Sequence, residues 1–135
     1  MIADVSISCD GNWICPEVQF SGSAKALADL GSTLNGIKYP VEIKTKISKN
    51  KFYPFAIQNL LVHPTSWGND RLSINIDESN FKFEGTLVAI NKIADSLINF
   101  FDKESEIGDH FHIDYYDGNQ TLNETSCHLV FICDQ

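Results

Sequence analysis

The chain has no surplus of basic residues: Lys and Arg total 10 against 18 Asp and Glu, for a formal net charge of −8. Proteins that grip a bare phosphate backbone use a cationic surface to displace counterions, so no nucleic-acid partner is expected. Long apolar runs are missing too. Those present, such as the stretch around Leu97 to Phe101, are far below the roughly 20 residues of a bilayer-spanning helix, and no membrane partner is expected. Met1 to Asp10 lacks both the basic region and the apolar stretch of a signal peptide, which points to the cytoplasm.

Catalytic spellings are absent as well. Cys9, Cys15, Cys127 and Cys133 form no C-x-x-C pair, so neither a zinc knuckle nor a thioredoxin-type motif is present, and reduced thiols are expected. There is no H-E-x-x-H helix motif and no cluster of glycines to cradle phosphate. Phe20-Ser21-Gly22-Ser23-Ala24 has the wrong spacing for a nucleophile elbow. Cys127 and His128 are adjacent, which on a strand aims them at opposite faces and makes a poor nucleophile–base pair. With 18 acidic residues, carboxylate pairs arise by coincidence and none identifies a glycosidase. No cofactor is expected, and the chain reads as a binding protein more than as an enzyme.

What is present is a message that is nearly written twice. Gln19-Phe20-Ser21-Gly22-Ser23 precedes Leu27, Leu30 and Leu34, and Lys82-Phe83-Glu84-Gly85-Thr86 precedes Ile90, Ile93 and Leu97, at a constant offset of 63 residues. Each copy reads as a strand end, a Gly turn, a Ser or Thr N-cap and an amphipathic helix. Identity is limited to Phe20, Gly22, Ala26 and Leu34, four of the 17 positions from 19 to 35. Any two strand-turn-helix units share such features, so unrelated surroundings for Phe20 and Phe83 would make the likeness an accident of composition.

Alternation of apolar and polar residues marks strands at Ala3 to Ser8, Glu17 to Phe20, Pro40 to Ile47, Arg71 to Asp77, Asn80 to Glu84 and His110 to Tyr116, and His128 to Cys133 reads as a closing hydrophobic strand. Ala56 to Val62 is more continuously apolar and reads as a central strand. Helices are expected from Ala24 to Leu34, ended by a left-handed Asn35-Gly36 cap, and from Thr86 to about Lys103. The expected architecture is α+β. A single domain, 1–135, comprises two β-β-α-β-β halves, approximately 1–63 and 71–135, which build a largely antiparallel sheet with two helices packed on one face.

The most suggestive string for a site is Asp109-His110-Phe111-His112-Ile113-Asp114-Tyr115-Tyr116-Asp117. On a strand, His110, His112, Asp114 and Tyr116 share one face, while Phe111, Ile113 and Tyr115 share the other. Two imidazoles and a carboxylate so spaced are candidate ligands for a divalent metal. The plainer alternative is a polar face turned to solvent or to a partner. Trp13, Trp67, Tyr115 and Tyr116 lie near turns or strand ends, where a rigid ring beside acidic groups suits a protein partner.

Phe83-Glu84-Gly85-Thr86, the helix after it, Gly108 to Asp114 with its H-x-H-x-D strand, then Leu122, Ser126 and Leu129-Val130-Phe131 resemble small bacterial immunity proteins of polymorphic toxin systems. The likeness covers roughly residues 80 to 133. Pro40 to Ile47 has no histidine, so the motif strand occurs once. The resemblance implies tight, non-catalytic neutralisation of a cognate toxin protein. An acidic surface favours a basic toxin, docked on Asp109, Asp114 and Asp117 with Tyr115 or Tyr116 as anchor and Trp67 as a further aromatic contact. The competing reading is a metal-binding protein or metal-dependent enzyme that uses His110, His112 and Asp114.

Overall fold

The computed structural model describes residues 2–135. The chain begins β1 (Ile2–Cys9), β2 (Glu17–Gly22), α1 (Ala24–Leu34), β3 (Val41–Lys46), β4 (Phe55–Ile57) and β5 (Asn59–Pro64). It continues β6 (Ser73–Ile76), β7 (Asn80–Gly85), α2 (Leu87–Phe100), β8 (His110–Ile113) and β9 (His128–Cys133). Ser23 and Thr86 start the helices: each holds extended backbone, and its hydroxyl accepts from the amide of Ala26 or Ala89. A donor that the first turn would leave unpaired is thereby satisfied.

One curled, mixed sheet of nine strands runs β6-β7-β5-β3-β1-β2-β9-β8, with β4 added on β1. Strands joined by a short turn pair antiparallel, as in β1·β2 and β6·β7. The parallel pairs, β1·β3, β2·β9 and β5·β7, join strands that are not neighbours in the chain. No turn signal encodes those.

Three local expectations are corrected. The stretch Ala56 to Val62 is two strands broken at Gln58: β4 pairs with β1, whereas β5 lies between β3 and β7. The first helix does not end in a left-handed cap, because the positive-φ glycines are Gly11, Gly68, Gly108 and Gly118. Amides of Gly36 and Ile37 instead reach back three residues to Thr33 and Leu34, which tightens the last turn. The second helix stops at Phe100, short of Lys103. There the Asp102 carboxylate takes the Glu104 amide and the Ser105 hydroxyl takes the Asp102 amide, so local side chains outcompete further helix.

Leu27, Leu30, Leu34, Ile90, Ile93 and Leu97 are all buried, as the helical spacing demands. α1 packs on α2 and on β1 and β2, and α2 packs on β7. At the crossing, Gly31 lets the backbones close: a Cβ there would sit 2.8 Å from the Ala94 carbonyl oxygen and 2.9 Å from the Leu97 Cβ. Beneath the helices lie Phe20, Phe81, Phe83 and Phe131. Phe20 stacks on Phe131 at 4.7 Å and on Phe83 at 6.2 Å, and meets the edge of Phe81 at 5.2 Å.

Truncating Ile93 or Leu97 to Ala should cost about 2–5 kcal/mol in denaturant unfolding, and a loss below about 1 kcal/mol would remove this face from the core. Replacing a mid-helix Gly by Ala ordinarily gains about 1 kcal/mol. Gly31→Ala should instead destabilise, because the added methyl meets backbone, and a stabilised variant would contradict the close crossing.

Candidate functional site on the outer sheet face

The β8·β9 ladder sets the site. Its register places Phe111 against Phe131 and Ile113 against Leu129, with the two phenyl rings stacked at 5.0 Å. Since alternate side chains leave a strand on opposite sides, His110 and His112 are turned outward. Both are exposed, and their rings meet edge to face at 5.3 Å.

One position beyond the ladder, Asp114 reaches across to the first residue of β9. Its Oδ1 lies 3.0 Å from His128 Nδ1. The other ring nitrogen, Nε2, is 3.6 Å from the Sγ of Cys15, in the turn before β2. Parallel pairing of β2 with β9 also brings Glu17 opposite His128. The Tyr53 hydroxyl donates to Glu17 Oε1 at 2.7 Å. Burial, reinforced by that carboxylate, pushes the Tyr53 phenol up to about 12.

Three of the expected partner-contact residues, Asp114, Tyr116 and Trp67, line two separate clefts. His112, Asp114 and Tyr116 line a shallow one of about 160 Å³ with Ile113, Asn119 and Thr121. Tyr116 is 65% exposed. Buried Asn119 holds the loop: its amide donates to the Tyr116 carbonyl, and its Oδ1 accepts from Thr121 and Leu122. The regular strand ends at Ile113, short of the expected Tyr116. Tyr115 donates to Asp117 at 3.2 Å, which raises its phenol pKa. The Asp109 carboxylate accepts the Glu106 amide at 2.8 Å and stays exposed. Trp67, 70% exposed, borders a separate cleft of about 180 Å³ with Arg71, Glu84 and Asn123. The Trp67 bend is tied to the 119–123 segment by Leu72, which bonds Thr121 and Asn123 through backbone, and by Lys92, which caps the carbonyls of Asp70 and Gln120.

His110, His112 and Asp114 share the outer face but do not converge. Asp114 is taken by His128, and among the described residues no three His, Cys, Asp or Glu side chains are placed to hold a metal ion. The structure therefore assembles no site for the metal reading. His128 has Asp114 on one nitrogen and faces Glu17 on the next strand. The Cys15–His128 contact spans 113 residues and depends on the β2·β9 pairing. Nothing local in the sequence announces it.

The raised Tyr53 phenol carries a pH signature. An unfolded Tyr ionises near 10, and the folded one at about 12, so the folded state keeps its proton longer. Stability from this source is complete below pH 10 and is lost as pH rises towards 12. Denaturant midpoints should fall more steeply over that window in the parent than in Tyr53→Phe; equal slopes would contradict the contact.

Residues 83–134, from the end of β7 through β9, match the family model described as Immunity protein 32. No curated protein and no solved structure matches the chain. The resemblance to immunity proteins therefore rests on a segment, and that segment contains α2, the β8·β9 ladder and the Asp114–His128 pair.

Proposed function

We propose that this chain is an immunity protein that neutralises a cognate, basic toxin domain by tight, non-catalytic binding in the cytoplasm of the producing bacterium. The observation that carries the reading is the charge of the family-matched segment. Residues 102–124 hold seven acidic side chains and one basic one, Lys103, spread over β8 and the connections on either side of it. Opposite charge speeds encounter, and a desolvated aromatic supplies the short-range hold. Asp109, Asp114 and Asp117 provide the field, Tyr116 the anchor in their midst, and Tyr115 and Trp67 flanking contacts.

The repeat is part of the proposal: one domain, 1–135, made of two related β-β-α-β-β halves, 1–63 and 71–135. Exchanging β1, β2, β3 and β5 for β6, β7, β8 and β9 carries β1·β2 onto β6·β7, β2·β9 onto β7·β5 and β3·β5 onto β8·β9. Gly22 faces Ala26 as Gly85 faces Ala89, and Gly31 meets Ala94 at the same offset of 63. Phe20 and Phe83 are both buried and stack on each other. The first half carries β4 in addition, and only the second carries the histidine strand.

The test uses the C-terminal domain of a toxin encoded beside this chain. Co-expression should restore growth to cells that express that domain. Reversing the charges of Asp114 and Asp117 together should slow association and flatten its salt dependence, whereas Tyr116→Ala should mainly speed dissociation. Binding kinetics that ignore all three substitutions would place the interface elsewhere.

A further inference from the structure

The chain Cys15 Sγ, His128 Nε2, His128 Nδ1, Asp114 Oδ1 is connected at 3.6 Å and 3.0 Å, and the docking proposal makes no use of Cys15 or His128. With the Asp114 carboxylate on Nδ1, Nε2 faces the thiol, whose single hydrogen has two acceptors within reach, Nε2 at 3.6 Å and the Ser126 carbonyl at 3.4 Å. That is the order of a nucleophile, a base and a residue that fixes the base's tautomer. The turn is built to hold the thiol there. Asn12 Oδ1 accepts the amides of Ile14 and Cys15, Ser126 donates to the Ile14 carbonyl at 2.8 Å, and the Cys15 thiol also lies 3.4 Å from the Ser126 carbonyl. All three members of the relay are exposed.

The other three thiols behave differently. Cys9, Cys127 and Cys133 are buried, and desolvation raises Cys9 and pushes Cys127 up to about 12. A thiolate is the reactive form, so Cys9 and Cys127 are inert by comparison, and burial shields Cys133 from reagents.

We propose that Cys15 is a nucleophilic thiol activated by His128 and positioned through Asp114, and that it takes small disulfides as its reaction partners. The exposure of the Cys15 thiol suits capture of a small, exposed sulfur electrophile. In the step, His128 Nε2 takes the thiol proton and Cys15 Sγ attacks one sulfur of R–S–S–R. A new S–S bond forms, the old one breaks, and the departing RS⁻ takes the proton back from His128. Cys15 is oxidised to a mixed disulfide and the reagent is reduced to one R–SH.

The probe is dithiodipyridine, whose released thiopyridone absorbs, with the adduct located by mass spectrometry. The native chain should release one equivalent rapidly, from Cys15. His128→Ala should slow it about tenfold or more at neutral pH, within the range of general base catalysis, and free imidazole should restore part of the rate. Asp114→Asn should slow it severalfold while Asp114→Glu retains most of the rate. A variant that fails to fold exposes all four thiols and shows itself by stoichiometry; His128→Gln and Asp114→Asn then decide. Parent and His128 variants reacting at the same rate would overturn the proposal. So would first labelling of Cys9, Cys127 or Cys133, or a slow His128→Ala that imidazole leaves slow.

Discussion

The close crossing of the two helices at Gly31 is the constraint on which the rest depends. With no side chain at that position, α1 lies against the Ala94 backbone and the Leu97 side chain of α2. The two helices then act as one block, which presents Leu27, Leu30, Leu34, Ile90, Ile93 and Leu97 to the sheet. Against that block sits the phenylalanine cluster, drawn from β2, β7 and β9. A sheet packed on one side in this way leaves its other side for polar residues, and alternation along β8 and β9 then decides which residues those are.

Much of this was legible in the sequence where the physics is local. Ser23 and Thr86 identify their helices because an N-cap is a contact across three residues. The buried helical positions follow from spacing alone. Pairing between distant strands did not show, because β2·β9 and β5·β7 are parallel and no turn records them. The Gln58 break was hidden for a related reason. Ala56 to Val62 is apolar on either side of Gln58 and Asn59, and its two parts answer to different neighbours, β1 for β4 and β3 with β7 for β5.

The site divides along the same line. His110, His112 and Asp114 were assigned a common face by period-2 reasoning, and the two histidines stand outward together. The use to which Asp114 is put was not readable, since its partner His128 lies 14 residues away across the ladder. Cys15 and Glu17 reach His128 only through the junction of β2 with β9. Asp114 is thus common to two features of the outer face: the acidic strand and turn with Tyr116, and the relay to Cys15.

The central claim is that the outer face at β8 and β9 meets the partner while the helices serve the core. Hydrogen–deuterium exchange on the chain, alone and with a toxin domain proposed as its partner, tests this most directly. The account predicts slowed exchange in peptides covering 109–121, with α1 and the solvent side of α2 unchanged. Protection confined to the helices around Lys25, Asp29 and Asp95, with 109–121 exchanging as in the free chain, would contradict it.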